Sequence, residues 1–457
     1  MPAARPVPLQ LAAVWLLLVA VYAAGLVLPA APSRELSATE AHRLLVAHSI
    51  VTDGDVDLLD DYQAQAWRDW GGVTGQARGG ALRPNVAMQA RPDAPGGVPI
   101  APGGFLEPSG LGTGAALAPA YWVGERTGIG GRLAVQLWCA ALLALAFAIA
   151  QGLARRIVPE PWASRGVLAI ALSPPAVLGA TQVGPTGPAA LLIAGAVAAA
   201  LAVRDRPRTG AALACALLCA LLWWLWLPLA PVALLIAAAL ARWMRRRRRG
   251  LGGFLALEVL LLSAVVYITV QDRLYGGPTP WAPAAGWTLP TDFDGIGDLL
   301  ERLVVGPLGL LVDRDLGLLR WAPVLLLVGV AGWRLWHWHR ARLARVFADE
   351  IHVEVIVLFL LLVFAVATLP YAVLSPWPAT NWLGGPAAAA GLVVLGPVVG
   401  WAWQRLPRLG AGLAAVTVVA TVWLLAAGLL DGDAGSDPPR GALPWAGVEN
   451  ALPRLQP

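Results

Sequence analysis

The chain has no lysine, and all 33 of its basic residues are arginine. Charged residues make up only 13% of its 457 residues, against about 25% in soluble domains. With 58% hydrophobic residues and a mean hydropathy of +0.65, this scarcity of charge excludes an ordinary soluble domain and indicates a membrane protein. Cysteine is scarce too. Cys139, Cys215 and Cys219 lie in apolar segments without disulfide or metal-ligand spacing, which favours a packing role.

The net charge of +5 does not indicate a nucleic-acid partner. The arginines occur in short clusters between apolar segments, whereas a nucleic-acid interface requires one continuous basic face. Clusters of this kind are typical of membrane topology determinants. We therefore expect membrane lipids, and no nucleic acid, around this chain.

Apolar segments of about 20 residues, the length that crosses a bilayer core as a helix, recur along the chain. They predict an all-α polytopic membrane protein with about eleven transmembrane helices. The predicted segments are 9–30, 131–153, 164–181, 186–203, 209–225, 227–243, 251–270, 318–336, 352–370, 386–403 and 410–430. The first is predicted to be a retained anchor, because its apolar run is long for a signal peptide.

The arginine clusters also predict the orientation. If the N-terminus is cytoplasmic, every short inner loop is basic, as the positive-inside rule requires, and the C-terminus is external. Residues 1–430 then form one transmembrane domain of the plasma (inner) membrane. Its two long external loops are 32–130 and 271–317, and residues 431–457 are predicted to be an external, disordered tail.

The first external loop contains the stretch HSIVTDGDVDLLDDYQAQAWRDW, residues 48–70, which holds six aspartates. Asp53, Asp55 and Asp57 stand at alternate positions, so an extended backbone would point all three to one side. Carboxylates so close together repel one another unless a cation neutralises the group. Such a group suits a general base, or a pair of oxygens that hold a divalent ion against a phosphate.

Two other interpretations of this stretch can be weighed from the residues. An EF-hand loop starting at Asp53 is excluded, because its sixth position is Leu58 rather than glycine and its twelfth is Ala64 rather than glutamate. A solvated acidic turn that keeps this end of the first helix outside stays open.

Further polar residues are candidates for the same face of the membrane. Arg83, with Arg91 and Arg126, can contact an anionic headgroup or phosphate, or can serve surface solvation. Asp313 and Arg314 precede the predicted eighth helix, where they can cap it or line a cavity shared with the acidic stretch. Glu258 lies inside the predicted seventh helix, where a carboxylate is a functional candidate by default.

Several stretches resemble bacterial polytopic membrane glycosyltransferases of the GT-C class. HSIVTDGDVDLLDDY is similar to a family segment of the type HSL-x-x-DGDLDL-x-N-x-Y, and GTGAALAPAYWVG to PG-x-ALLLAP-x-Y. SPPAVLGATQVGPTGPAALL, RLYGGPTP and GLLVDRDLGLLRWAP resemble three further family segments, in this order along the chain. The resemblance covers residues from about 44 to 400.

The resemblance implies transfer of a sugar from a polyprenyl-phosphate donor to a glycan, lipid or protein acceptor on the outer face. It assigns the catalytic carboxylates to Asp53 and Asp55. The expected substrate-binding residues are Asp57, Arg83, Gln182, Asp313 and Arg314. The phosphate leaving group needs a cation, so a divalent ion, Mg²⁺ or Mn²⁺, is the one candidate cofactor, with no metal ligands assigned.

The chain departs from the family pattern in two places. Thr186 stands where the relatives carry an acid after Pro185, and Ala387 follows Pro386 where they carry an arginine. The missing arginine leaves two alternatives open: a transporter or flippase of lipid-linked glycans, and a GT-C-like scaffold without catalysis. A transporter typically shows internal repeats and paired broken helices, and the sequence shows no clear repeat.

Overall fold

The computed structural model describes residues 7–27, 36–70, 73–74, 106–107, 110–246, 250–275, 296–314, 317–340, 348–374 and 385–430. These residues are almost entirely helical. Their one sheet is a parallel pair of two-residue strands, β1 (Leu36–Ser37) and β2 (Val73–Thr74). The predicted all-α class is therefore confirmed. Arg83 and the tail 431–457 lie outside the described residues.

The helices follow one another in this order: α1 Val7–Val27, α2 Ala38–Thr52, α3 Leu59–Ala64, α4 Leu111–Thr127, α5 Gly131–Ala154, α6 Trp162–Ala171, α7 Pro174–Thr181, α8 Thr186–Asp205, α9 Thr209–Leu225, α10 Ala230–Arg246, α11 Gly250–Tyr275, α12 Ile296–Val312, α13 Leu318–Trp321, α14 Leu326–Arg340, α15 Ala348–Leu374, α16 Gly385–Gly391, α17 Leu395–Trp403 and α18 Pro407–Leu430. Short 3-10 helices occupy Ala66–Trp70, Leu227–Leu229, Pro323–Leu325 and Leu392–Val394.

Five helices in the described part of the chain are long and apolar enough to cross a membrane. They are Gly131–Ala154, Thr186–Asp205, Leu227–Arg245, Leu251–Tyr275 and Pro407–Ala426. A bent pair, α6 with α7, makes a sixth if it counts as one span. Shorter apolar helices cover four more of the predicted segments: Gln10–Leu26, Thr209–Leu225, Val353–Leu369 and Ala388–Trp403. By their length and composition these helices agree with the predicted membrane protein, while the count of eleven spans stays a prediction.

The segment predicted as one helix over 164–181 is broken into α6 and α7, which meet at 56°. The break falls at Ser173, whose backbone is extended, just before Pro174 and Pro175. Proline has no N–H to donate and fits the first turn of a helix, so the pair starts α7 instead of continuing α6.

The core is built from α5, α8 and α9 with α6 and α17 packed beside them, and small residues allow the helices to approach closely. A Cβ on Gly187 of α8 would lie 2.3 Å from the carbonyl oxygen of Cys139, and one on Gly166 would lie 2.3 Å from the backbone nitrogen of Gly400. Packing through small residues is the usual means of helix association in membranes. The three cysteines are buried and free, which agrees with their predicted packing role.

Three helices, α2, α3 and α4, lie within residues 32–130, which the sequence predicted as a long loop. Helix α2 begins with a capping box, in which Ser37 and Glu40 each accept a hydrogen bond from the other's backbone N–H. Its apolar residues pack on α4 and the 66–70 helix in a separate core, with Leu44, Leu58 and Leu117 fully buried. This second core holds the acidic stretch in place.

Candidate functional site

The acidic stretch begins where α2 ends. Asp53 is the C-terminal cap of α2, and the N–H groups of Asp53 and Gly54 both donate to the carbonyl oxygen of Ser49. Gly54 has a φ of +78°, the left-handed conformation that a glycine adopts without steric cost. The chain therefore turns sharply here, and the extended run expected for residues 53–57 is not formed.

Asp55 and Asp57 use their carboxylates to stabilise this turn. The Oδ1 atom of Asp55 accepts from the buried Ser49 hydroxyl and from the N–H of Asp57, each at 3.0 Å. The Oδ1 atom of Asp57 accepts from the N–H of Leu59 at 3.1 Å, at the start of α3. Local hydrogen bonds of this kind are a common role for aspartate at turns and helix starts.

A different set of carboxylates comes together. One carboxylate oxygen each of Asp53, Asp60 and Asp61 lies within 4.8 Å of the others, because the turn brings the first residues of α3 back beside the end of α2. Asp53 and Asp60 are exposed, whereas Asp61 is buried. We call these three residues the carboxylate cluster.

Asp61 carries the unusual electrostatics of the cluster. It is only 3% exposed, and its Oδ2 atom has no hydrogen-bond partner among the described residues. Burial, reinforced by the negative charge of Asp60 and Asp53, raises the pKa of Asp61 to about 7. A buried carboxylate with an orphan oxygen is costly unless it holds a proton or a cation.

A histidine and a tyrosine stand behind Asp61. The Nε2 atom of His48 lies 3.4 Å from Oδ1 of Asp61, and its Nδ1 atom lies 2.9 Å from the hydroxyl of Tyr121 on α4. The ring of Trp70 meets both His48 and Tyr121 edge to face. Burial lowers the pKa of His48 and raises that of Tyr121 to about 12, which favours the neutral form of each at pH 7.

The cluster fits a divalent cation on chemical grounds. Hard cations such as Mg²⁺ and Mn²⁺ are held by carboxylate oxygens, and three converge here with one oxygen otherwise unsatisfied. His48 lies behind Asp61 in the way that residues supporting a metal ligand do.

The other end of α2 contacts the break between α7 and α8. The backbone N–H of Val183 donates to Oε1 of Glu40 at 2.8 Å, and Gly184 lies against the buried side chain of Arg43. Gln182, the candidate from the family resemblance, is half-buried at this break. The structure thus places it beside the beginning of α2, while the carboxylate cluster lies at the end of that 15-residue helix.

The remaining candidates lie on other elements. Asp313 is buried just after α12, and the carbonyl oxygen of Arg314 accepts a hydrogen bond from Arg320. The N-cap residue of the following helix is Gly317. Glu258 is on the exposed face of α11 rather than inside the bundle.

Sequence reasoning missed Asp60, Asp61, His48 and Tyr121 as members of the site. Asp60 and Asp61 are part of the acidic stretch in the sequence. The signal that could have identified them is Gly54, because a turn at this glycine brings Asp60 and Asp61 back beside Asp53.

Comparison of the chain with models of protein families, with curated proteins and with solved structures finds no match.

Proposed function

We propose that the chain is a polytopic membrane glycosyltransferase with the GT-C-like arrangement of about eleven spans, a cytoplasmic N-terminus and an external C-terminus. It transfers a sugar from a polyprenyl-phosphate donor to an acceptor at the outer face. The observation that supports this most is the carboxylate cluster, which lies at the end of α2, the helix after the first apolar helix, and contains the buried Asp61 with its orphan oxygen. The sequence motifs that resemble the GT-C class connect this site to sugar transfer.

In the proposed reaction, the acceptor hydroxyl oxygen forms a bond to the anomeric carbon of the donor sugar. The bond from that carbon to the phosphate oxygen breaks, and polyprenyl phosphate leaves as the anion with the electron pair. Attack from the side opposite the phosphate inverts the anomeric configuration. The acceptor's proton passes to a carboxylate, a role that suits a base near the site's open side.

Asp53 is the residue that we assign to this proton transfer. It is exposed, and one of its oxygens accepts from the Thr52 hydroxyl at 2.8 Å, which orients the carboxylate. Asp60 and Asp61 would hold the cation, which leaves Asp53 free to take the proton, and His48 and Tyr121 would orient Asp61. A bound Mg²⁺ or Mn²⁺ would supply positive charge for the departing phosphate.

The test is sugar transfer by membranes that contain the chain, from radiolabelled polyprenyl-phosphate sugars. Asp53→Asn and Asp61→Asn should each abolish product formation, while Asp69→Asn, an exposed acid of the same stretch outside the cluster, should leave it unchanged. Unimpaired transfer by both cluster variants would remove the assignment.

Asp55→Asn separates structural from catalytic roles in the same assay. The amide oxygen of asparagine can accept the two hydrogen bonds that Asp55 now accepts, so the turn is preserved while the charge is lost. We expect this variant to retain most of the activity. Complete loss in a folded variant would return the catalytic role to Asp55, as the sequence motif predicted.

Translocation of lipid-linked glycans is the second candidate, favoured by the bent pair α6 and α7, since broken helices are common in transporters. A flippase would move a labelled lipid-linked glycan across vesicles without forming a new glycosidic bond. Measuring translocation and product in the same vesicles distinguishes the two functions.

A further inference from the structure

Helix α11 is the least buried of the five helices in the described part of the chain that are long and apolar enough to cross a membrane. One side of it packs on α9 and α10. Polar groups on that side are paired: Oγ of Ser263 accepts from Nε1 of Trp224 at 3.0 Å, and the Tyr275 hydroxyl donates to the carbonyl oxygen of Glu107 at 2.8 Å. The opposite side is exposed along the whole helix.

A row of exposed side chains follows that opposite side. Its members stand alternately four and three residues apart, the spacing that keeps them on one face of a helix and that the contact positions of a coiled coil share. They are Leu251, Leu255, Glu258, Leu262, Val265 and Thr269. At about 1.5 Å per residue the row is about 27 Å long, close to the hydrocarbon thickness of about 30 Å. We call these six residues the α11 row.

Glu258 is the one ionisable residue of the α11 row. It lies about 12 Å along the helix from its first residue, Gly250, and has no hydrogen-bond or ion-pair partner among the described residues. Lipid tails offer neither donors nor acceptors, so a carboxyl group at this depth is costly unless another protein group pairs with it. The exposed side of α11 therefore requires a polar partner at the level of Glu258.

A second copy of the chain supplies that partner at the required depth. Copies inserted in the same orientation have parallel α11 helices, and a two-fold axis along the membrane normal then brings Glu258 beside Glu258. Two carboxyl groups can share one proton in a hydrogen bond. Leucine and valine side chains of the two rows pack around this pair, in the left-handed crossing that is common between helices in membranes. A single polar position in an apolar contact row also fixes the register of the two helices.

We infer that the chain self-associates through α11, with two copies in contact along the α11 row and their Glu258 side chains paired. The inference goes beyond the proposed function, since it requires only that α11 crosses a membrane. Helix α18 is exposed along one side as well, but it carries no ionisable residue after Arg408. It therefore offers a control for exposure alone.

Disulfide crosslinking between single introduced cysteines tests the contact. The three native cysteines are buried, and the wild type gives the background. The full-length variants Leu262→Cys and Val265→Cys are placed in phosphatidylcholine liposomes at low protein density and oxidised with copper phenanthroline. Both should form a disulfide-linked dimer, because residues of the contact row should meet within the distance of about 7 Å that a disulfide allows between Cα atoms.

Two control variants place the cysteine on equally exposed surfaces away from the row. Leu257 is 52% exposed but is turned about 100° from Glu258 around α11, and Val422 on α18 is 59% exposed. Leu257→Cys and Val422→Cys should give only the low yield of random collisions. No dimer from Leu262→Cys and Val265→Cys, or an equal yield from all four variants, would overturn the inference. In cell membranes, a disulfide to a different protein in place of the dimer would overturn it as well.

Variants of Glu258 test the polar pair itself. Glu258→Leu should raise the dissociation constant of the dimer in the bilayer about threefold or more, measured as the dimer fraction against the protein-to-lipid ratio by single-molecule photobleaching. Glu258→Gln should associate as the wild type does, because its amide both donates and accepts across the pair. Equal association by Glu258→Leu and the wild type would overturn the pairing. None of these measurements involves sugar transfer, so failure of the proposed function leaves the inference standing.

Discussion

Asp61→Asn tests the electrostatic description of the carboxylate cluster most directly. The pKa of Asp61 is raised from 3.8 to about 7, chiefly by burial. At about 1.4 kcal/mol for each pKa unit, this places an upper bound of about 4 kcal/mol on the stability lost when Asp61 ionises. Water reaches the cluster through the exposed Asp53 and Asp60 and screens the charge, so we expect about half of that bound.

The sign follows from proton binding in the two states. With its pKa raised in the folded protein, Asp61 holds a proton that the unfolded chain releases as the pH rises above 3.8. Its contribution is therefore fully present below about pH 4 and is lost as the pH rises through about 7. Asparagine cannot ionise, so Asp61→Asn should match the wild type in acid and exceed it in stability above neutral pH.

The assay is thermal unfolding followed by tryptophan fluorescence, in cation-free buffer, at about pH 5 and about pH 8. The Tm advantage of Asp61→Asn should grow between these values by a few degrees. Asp69→Asn, which removes an exposed acid of the same stretch, should show no such change. Adding Mn²⁺ at the higher pH should raise the Tm of the wild type and not of Asp61→Asn. An Asp61→Asn protein no more stable than the wild type at about pH 8 would refute the reasoning.

Two further predictions concern other parts of the structure. Tyr121→Phe removes the hydroxyl that contacts Nδ1 of His48. The Mn²⁺ affinity, measured by electron paramagnetic resonance, should therefore fall about tenfold. An unchanged affinity would show that His48 does not orient Asp61. Gly112→Ala places a methyl group 1.7 Å from a carbonyl oxygen and should prevent recovery of folded protein by size-exclusion chromatography, whereas Gly152→Ala, with open space around the added carbon, should be recovered normally.

Much of the helical architecture follows from the sequence alone, because the bilayer sets a length and an apolarity that a helix must meet. The segment 131–153 corresponds to α5 within one residue, and the segment 251–270 lies within α11, which extends to Tyr275. The bend at Ser173 depends on how α6 and α7 each pack against the neighbouring helices. The prolines allow a kink at that place without determining its angle of 56°.

In the acidic stretch too, some features follow from the sequence and others only from the tertiary structure. Its charge density and its position after the first apolar helix are properties of the sequence, and they are what made it a candidate. Alternation along the chain suggested Asp53, Asp55 and Asp57 as a set, but that argument assumes an extended backbone. Gly54 in a left-handed conformation reverses the chain instead. The carboxylates of Asp55 and Asp57 therefore accept hydrogen bonds from groups within the turn.

By itself, then, the sequence determined a helical, membrane-type chain with its acids in one stretch, since composition and periodicity act locally. Only the tertiary structure decided which carboxylates meet and which of them is buried. Asp61 is brought beside His48 and, through it, Tyr121, a residue 60 positions away on α4, because α2 and α4 bury a common apolar core. Burial of that kind depends on contacts between segments that are distant in the sequence.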